Sequence, residues 1–143
     1  FLAASLPGTL NAHVAYVTNE KDNTISVIDT ETQKVVRTFS VGQRPRGITF
    51  SQDFKHLYVC ASDSDAVQVF DAATDKLLYD LPSGDDPEQF AVSPDNKRLY
   101  IANEDSAVTT VIDLATRKVI RQIDVGIEPE GVAPDQYEHV RTD

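Results

Sequence analysis

Tyr16-Val17-Thr18-Asn19, Tyr58-Val59-Cys60-Ala61 and Tyr100-Ile101-Ala102-Asn103 set a tyrosine at the head of an apolar run at a constant offset of 42 residues. The offset holds downstream of these runs as well. Asp29, Asp71 and Asp113 each open an Asp-x-x-Thr-x-Lys pattern, completed by Thr32 and Lys34, Thr74 and Lys76, and Thr116 and Lys118. Gly42, Gly84 and Gly126 follow, each three residues ahead of Pro45, Pro87 and Pro129. Several kinds of position keeping one register over two full periods define a structural repeat, and the rest of the chain is read through it.

Within each period, β-branched and aromatic residues gather in short runs separated by Asp, Asn, Gly and Pro, which is the pattern of strands and turns. The first complete unit predicts strands over Arg46 to Ser51, His56 to Ala61, Ala66 to Asp71 and Lys76 to Leu81. A polar loop, Ser62-Asp63-Ser64-Asp65, separates the second and third strands, and Asp71-Ala72-Ala73-Thr74 forms a tight turn between the third and fourth. Asp and Thr suit that turn because their side-chain oxygens accept bonds from exposed backbone N–H groups, so the recurring Asp is a turn former. Four antiparallel strands in about 42 residues is the pattern of a β-propeller blade. Blades stack face to face, which explains why the second strands are nearly continuous apolar runs. The expected fold is therefore all-β: a β-propeller of four-stranded antiparallel blades with about three 42-residue repeats, either a partial propeller or one part of an assembled ring. One Tyr per blade at an identical position is read as packing between blades.

Composition narrows the partners. Thirteen Lys+Arg against twenty-three Asp+Glu give a net charge of -10, the wrong sign for a phosphate-binding surface, so no nucleic acid is expected. No apolar stretch approaches the roughly 18 residues that a membrane-spanning helix needs. A single cysteine, Cys60, and three histidines, His13, His56 and His139, rule out an internal disulfide and a Cys/His zinc cluster, and without a CxxCH sequence covalent c-type haem is excluded. Cys60 aligns with Thr18 and Ala102 inside a second strand, where it reads as a buried small hydrophobe.

With Tyr16-Val17-Thr18-Asn19 spelling its signature, the chain resembles the YVTN family of β-propeller repeat proteins. The segments Thr18 to Thr24, Arg44-Pro45-Arg46-Gly47-Ile48, Tyr58 to Asp63, Asp86-Pro87-Glu88-Gln89-Phe90 and Glu128-Pro129-Glu130-Gly131 resemble the PQQ-dependent catabolism-associated β-propellers. That resemblance implies a periplasmic or secreted scaffold whose protein partner is a quinoprotein dehydrogenase or a cytochrome, and it transfers no catalytic residue and no cofactor. Family members run to about seven blades, so the chain resembles the N-terminal part of one. The expected organisation is an N-terminal extension or signal-peptide remnant over residues 1–13, three repeats over 14–133 and a divergent tail over 134–143. Phe1-Leu2-Ala3-Ala4-Ser5 is apolar enough to belong to an export signal.

In a propeller, the loops joining second to third strands and those joining one blade to the next emerge on one face, the usual binding surface of the fold. This places Arg44, Arg46, Asp85, Asp86, Glu88, Glu128 and Glu130 around the channel mouth. An outer ring holds Asn19, Glu20, Ser62, Asp63, Asn103, Glu104 and Asp105. The candidate partner-binding face is Arg44, Arg46, Asp86, Glu88, Glu128, Glu130, Glu20, Asp63 and Glu104. Three readings stand: solvated loop charge, an electrostatic docking surface, or carboxylates gathered for a hard cation such as Ca²⁺.

No GxSxG, HExxH, Walker or GxGxxG sequence is present, so no catalytic residue, cofactor or metal is assigned. The expected function is a non-catalytic binding or scaffold module; a lactonase-like propeller hydrolase and a cell-surface adhesion repeat are the alternatives. The chain opens near Val14 on a second strand and closes with a first strand over Glu130 to Ala133. Incomplete end blades predict self-association, most simply as a dimer, or docking against remaining blades.

Overall fold

The computed structural model describes residues 13–135. All of the N-terminal extension but His13, its apolar Phe1 to Ser5 included, and most of the tail beyond Ala133 lie outside the described residues. Eleven strands form three antiparallel sheets, and no α-helix occurs among the described residues. The first sheet holds β1 (Val14–Asn19), β2 (Thr24–Asp29) and β3 (Lys34–Ser40). The second holds β4 (Pro45–Phe50), β5 (His56–Ala61), β6 (Ala66–Asp71) and β7 (Leu77–Pro82). The third holds β8 (Pro87–Val92), β9 (Arg98–Asn103), β10 (Val108–Asp113) and β11 (Lys118–Asp124). Each sheet runs in simple sequence order, so each 42-residue unit folds as one meander, and the all-β partial-propeller reading holds.

The repeat is kept in fine detail. The pairing of third and fourth strands slips by one residue at Val27/Ile28, Val69/Phe70 and Val111/Ile112, the same place in every blade. Asp71 Oδ1 accepts from Ala73 N, Thr74 N and the Thr74 hydroxyl, and Asp113 Oδ1 and Asp29 Oδ1 accept from the same turn positions. These bonds hold the turn aspartates below the ordinary carboxylate range, as a charge-accepting turn requires.

Strand ends differ from expectation by one residue. Ser51 leaves the first strand because its hydroxyl bonds Asp53 and its backbone N–H closes the turn onto His56 O. Pro82 joins β7, pairing with Ala66, while Lys76 stays in the turn, its carbonyl accepting from Asp71 N. The larger difference lies at Glu130 to Ala133, expected as a first strand but in no ladder. A strand is defined by a hydrogen-bonded neighbour, and none lies beside this segment among the described residues. Instead Val132, Ala133 and Pro134 lie along a cleft lined by Phe50, Phe90, Ala91 and Val92.

Burial lies between the sheets. Ile25 and Val27 of the first blade pack against Leu57, Val59 and Phe70 of the second, with Tyr16, Phe39, Ile48 and Phe50 alongside. Tyr58, Cys60, Val67, Val69 and Leu81 of the second blade pack against Phe90, Val92, Leu99, Ile101 and Ile112 of the third. The repeated tyrosines are the hinge pins of these seams. Tyr16 meets Phe50 edge to face at 5.2 Å, and Tyr58 meets Phe90 in the same geometry at 6.3 Å. Cys60 is fully buried, and burial pushes its thiol well above the ordinary range, so it packs as a hydrophobe. The first strands β4 and β8 run side by side, so closely that a Cβ at Gly47 would lie 2.5 Å from Glu88 O. Only glycine admits that approach.

Candidate functional site

The loops that lead from one blade to the next are stapled between two blades by their backbones. Arg44 N donates to Asn23 Oδ1 of the first blade at 2.8 Å, while its carbonyl accepts from Ser62 N of the second at 3.2 Å. One repeat later Asp86 does the same, donating to Asp65 Oδ1 at 3.0 Å and accepting from Glu104 N at 3.1 Å. Arg44, Asp86 and Glu128 share a left-handed backbone, with φ of 54°, 47° and 54°, immediately ahead of a proline. This fixed turn delivers each side chain onto the loop face. At the third position the staple lacks its acceptor, since Ala107 stands where Asn23 and Asp65 supply a side-chain oxygen.

Seven of the nine expected face residues converge. Arg44 is the hub: its Nη1 lies 3.1 Å from Asp86 Oδ1 and 3.4 Å from Asp63 Oδ1, and its Nε lies 3.4 Å from Glu20 Oε1. Arg46, from β4, pairs its Nη1 with Glu88 Oε2 of β8 at 2.8 Å and approaches Glu20 at 3.7 Å. Glu104 closes the group, one carboxylate oxygen each from Asp86, Glu88 and Glu104 lying within 4.8 Å of one another. Glu128 and Glu130 stand apart and exposed, although Glu130 reaches the rim of a cleft of about 370 Å³ that also meets Thr18, Glu20, Arg46, Glu88 and Gln89.

The members differ sharply in exposure. Glu20 and Asp63 are half exposed, whereas Asp86 and Glu88 are buried. Burial pushes the Glu88 carboxyl up to about 7, and the adjoining Glu104 and Asp86 act in the same direction against the opposing pull of Arg46. Ser62 and Asn103, expected on the outer ring, are buried and structural. Ser62 Oγ donates to Pro87 O at 2.7 Å, and Asn103 accepts from Thr110 Oγ1 and donates to Ser83 Oγ. The signal that sequence reading left unused is the spacing itself. Arg44–Asp86 and Arg46–Glu88 are opposite charges one repeat apart, and adjacent blades bring equal repeat positions together.

The model of the YNCE-like beta-propeller family matches residues 52–139. No curated protein matches the chain. Among solved structures, hydrazine synthase of Kuenenia stuttgartiensis is similar at 27% identity and a TM-score of 0.74, over 81% of this chain and 34% of that one. The dihydro-heme d1 dehydrogenase NirN, solved in complex with DHE, shares the fold at 18% identity and a TM-score of 0.64, over 78% of this chain and 24% of its own. The chain thus spans about a third and about a quarter of the two neighbours. Repeat, meander sheets, interblade packing and matched family model agree: the chain belongs to the YNCE-like β-propeller family.

Proposed function

We propose that the chain is a non-catalytic binding or scaffold module that docks a protein partner through its acidic loop face. The observation that carries this reading is the unequal exposure of the charge network. Asp86 and Glu88 are spent on Arg44 and Arg46 inside the face, while Glu20 and Asp63 present carboxylates to solvent, with Glu128 and Glu130 beyond them. A surface built this way attracts a partner with a basic patch, and the net charge of -10 adds long-range steering. The resemblance to PQQ-associated propellers supports a quinoprotein dehydrogenase or c-type cytochrome as that partner, in the periplasm or outside the cell. Both structural neighbours are enzymes by name, one of them a dehydrogenase of a haem, which supports a module set within redox machinery.

The test is affinity for a basic c-type cytochrome, measured by interferometry as ionic strength rises. Docking through this face predicts a steep loss with salt and a further loss of about tenfold in the Glu20→Lys/Asp63→Lys variant. Affinity indifferent to both treatments would overturn the reading. The convergence of Asp86, Glu88 and Glu104 favours a second reading, the lactonase-like hydrolase, since such chemistry needs a polar cluster at the channel. Turnover of sugar lactones abolished by Glu104→Gln would establish it in place of the first.

A further inference from the structure

We infer that residues 129–133 of one copy of this chain add as a strand to the free edge of β1 in a second copy, and that the exchange is reciprocal. The inference stands independently of partner docking. In the second and third sheets the strand equivalent to β1 has a neighbour on both sides: β5 lies between β4 and β6, and β9 between β8 and β10. Among the described residues β1 pairs with β2 alone, so one row of its backbone N–H and C=O groups lacks ladder partners.

Such an edge takes a strand of matching pattern. Pro129-Glu130-Gly131-Val132-Ala133 follows the first strands Pro45-Arg46-Gly47-Ile48-Thr49 and Pro87-Glu88-Gln89-Phe90-Ala91 position by position, yet belongs to no ladder among the described residues. One repeat before β4 the chain instead reads Ala3-Ala4-Ser5-Leu6-Pro7, without the leading proline and with a proline in the place of Thr49 and Ala91. The complete blades give the register. Ile48 faces Val59 and Phe90 faces Ile101, so Val132 faces Val17; Thr49 faces Tyr58 and Ala91 faces Tyr100, so Ala133 faces Tyr16.

Two further observations identify the occupant as a second copy. One wall of each seam holds Tyr58, Val69 and Leu81 or their equivalents, and the other holds Phe90, Ile101 and Ile112 or theirs. The third blade presents the first wall as Tyr100, Val111 and Ile123, and the matching wall is divided between Val132 and the first blade's Val17 and Ile28. A second copy brings those two parts together and covers Val17, which is 43% exposed. Two copies also bring six sheets, a number at which propellers close. Charge agrees with this placement. Equal repeat positions of adjacent blades meet, as Arg44–Asp86 and Arg46–Glu88 do, and a strand seated on β1 stands in the blade next to β4. It therefore carries Glu128 toward Arg44 and Glu130 toward Arg46 of the receiving copy. Arg46 Nε is buried without an acceptor among the described residues, and a carboxylate arriving there supplies one.

The exchange is tested first by mass. Sedimentation equilibrium should give the chain mass below about 0.1 µM, where the end faces stay open, and twice that mass above about 100 µM, with Kd of about 10 µM. Register is read with cysteine pairs. Oxidising a mixture of Val17→Cys chains and Val132→Cys chains should link them into a covalent dimer, whereas Ala133→Cys, on the opposite face of the strand, should not link to Val17→Cys. Cys60 is fully buried and takes no part. Glu130→Lys should weaken the dimer by at least about tenfold while the dilute chain melts as before. A monomer at every concentration would overturn the inference, as would a dimer that ignores Glu130→Lys or forms no link between positions 17 and 132. A doubly substituted chain that closes this disulfide within itself would seat the strand in its own copy and overturn the exchange.

Discussion

The seam between the second and third blades and the outward faces of the end blades are made from equivalent residues, yet they are different environments. Leu81 in the seam is 1% exposed, while Ile123, at the same repeat position on the third blade, is 41% exposed. Val59 and Ile101 are fully buried on the trailing sides of their blades, whereas Val17, one repeat earlier, is 43% exposed. Tyr58 packs on Phe90, but Tyr100 lines an open cleft with Val111, Ile120 and Ile123. A repeat encodes the shape of a blade; the stability of a blade comes from its neighbours.

The contrast is sharpest in its core. Leu81→Ala should destabilise the chain by about 2 to 5 kcal/mol through lost transfer energy and a cavity, and Ile123→Ala by less than about 1 kcal/mol. Chemical denaturation of the two variants checks this, and equal losses would mean that the end face is covered in solution. A smaller contrast concerns glycine. A Cβ at Gly84 would lie 2.9 Å from Asn103 Cγ, whereas at Gly126 it would meet nothing within 4 Å. Neither glycine has a positive φ, so Gly84→Ala should cost about 1 to 3 kcal/mol, and Gly126→Ala should be neutral or stabilising by up to about 1 kcal/mol. Thermal melts separate the two.

Titration distinguishes seam from surface by sign. Glu88 ionises near 7 in the folded chain against an ordinary 4.5, so between these values the folded state keeps a proton that the unfolded chain has released, and stability falls as pH rises. Arg46 on β4, Arg44 ahead of it, and Asp86 and Glu104 of the third blade are the charges that face this group. The turn aspartates Asp29, Asp53, Asp71, Asp95 and Asp113 are held below their ordinary 3.8, so their contribution is lost as pH falls below about 4. Stability should therefore peak near pH 4 to 5, and Glu88→Gln should flatten the neutral limb while sparing the acid one. An unchanged neutral limb would remove Glu88 from that role. The smallest effect is expected at the rim, where Arg37 of β3 pairs with Asp75 of the second blade and is 42% exposed. Asp75→Asn should cost less than about 1 kcal/mol and less again at high salt.

Much of this architecture could be read directly from the chain. The 42-residue offset carries the blade, the turn aspartates mark its hairpin, and the tyrosines mark its seams, because each is a local requirement repeated in every unit. Burial of individual site residues was not legible in that way. Glu88 and Glu130 hold one repeat position, and so do Asp86 and Glu128, yet the first of each pair is buried and the second exposed. The local chain is equivalent; what differs is whether another sheet lies alongside. Ser62 and Asn103 illustrate the converse, polar residues in loop-like sequence that fold inward because Pro87 O, Ser83 and Thr110 need partners.

The pairing of equal repeat positions also bears on how successive blades keep their order. Were the blades perfect copies, Arg44 would face another arginine and Arg46 likewise, so duplication alone builds mutual repulsion into the loop face. Replacement by Asp86 and Glu88 in the next blade turns that repulsion into two ion pairs. The same difference makes the seam between the second and third blades directional: arginines stand on one side of it and carboxylates on the other. Strict alternation of sign closes only around an even number of blades. In the sequence the alternation already breaks at the next repeat, where Glu128 and Glu130 follow Asp86 and Glu88 as carboxylate after carboxylate.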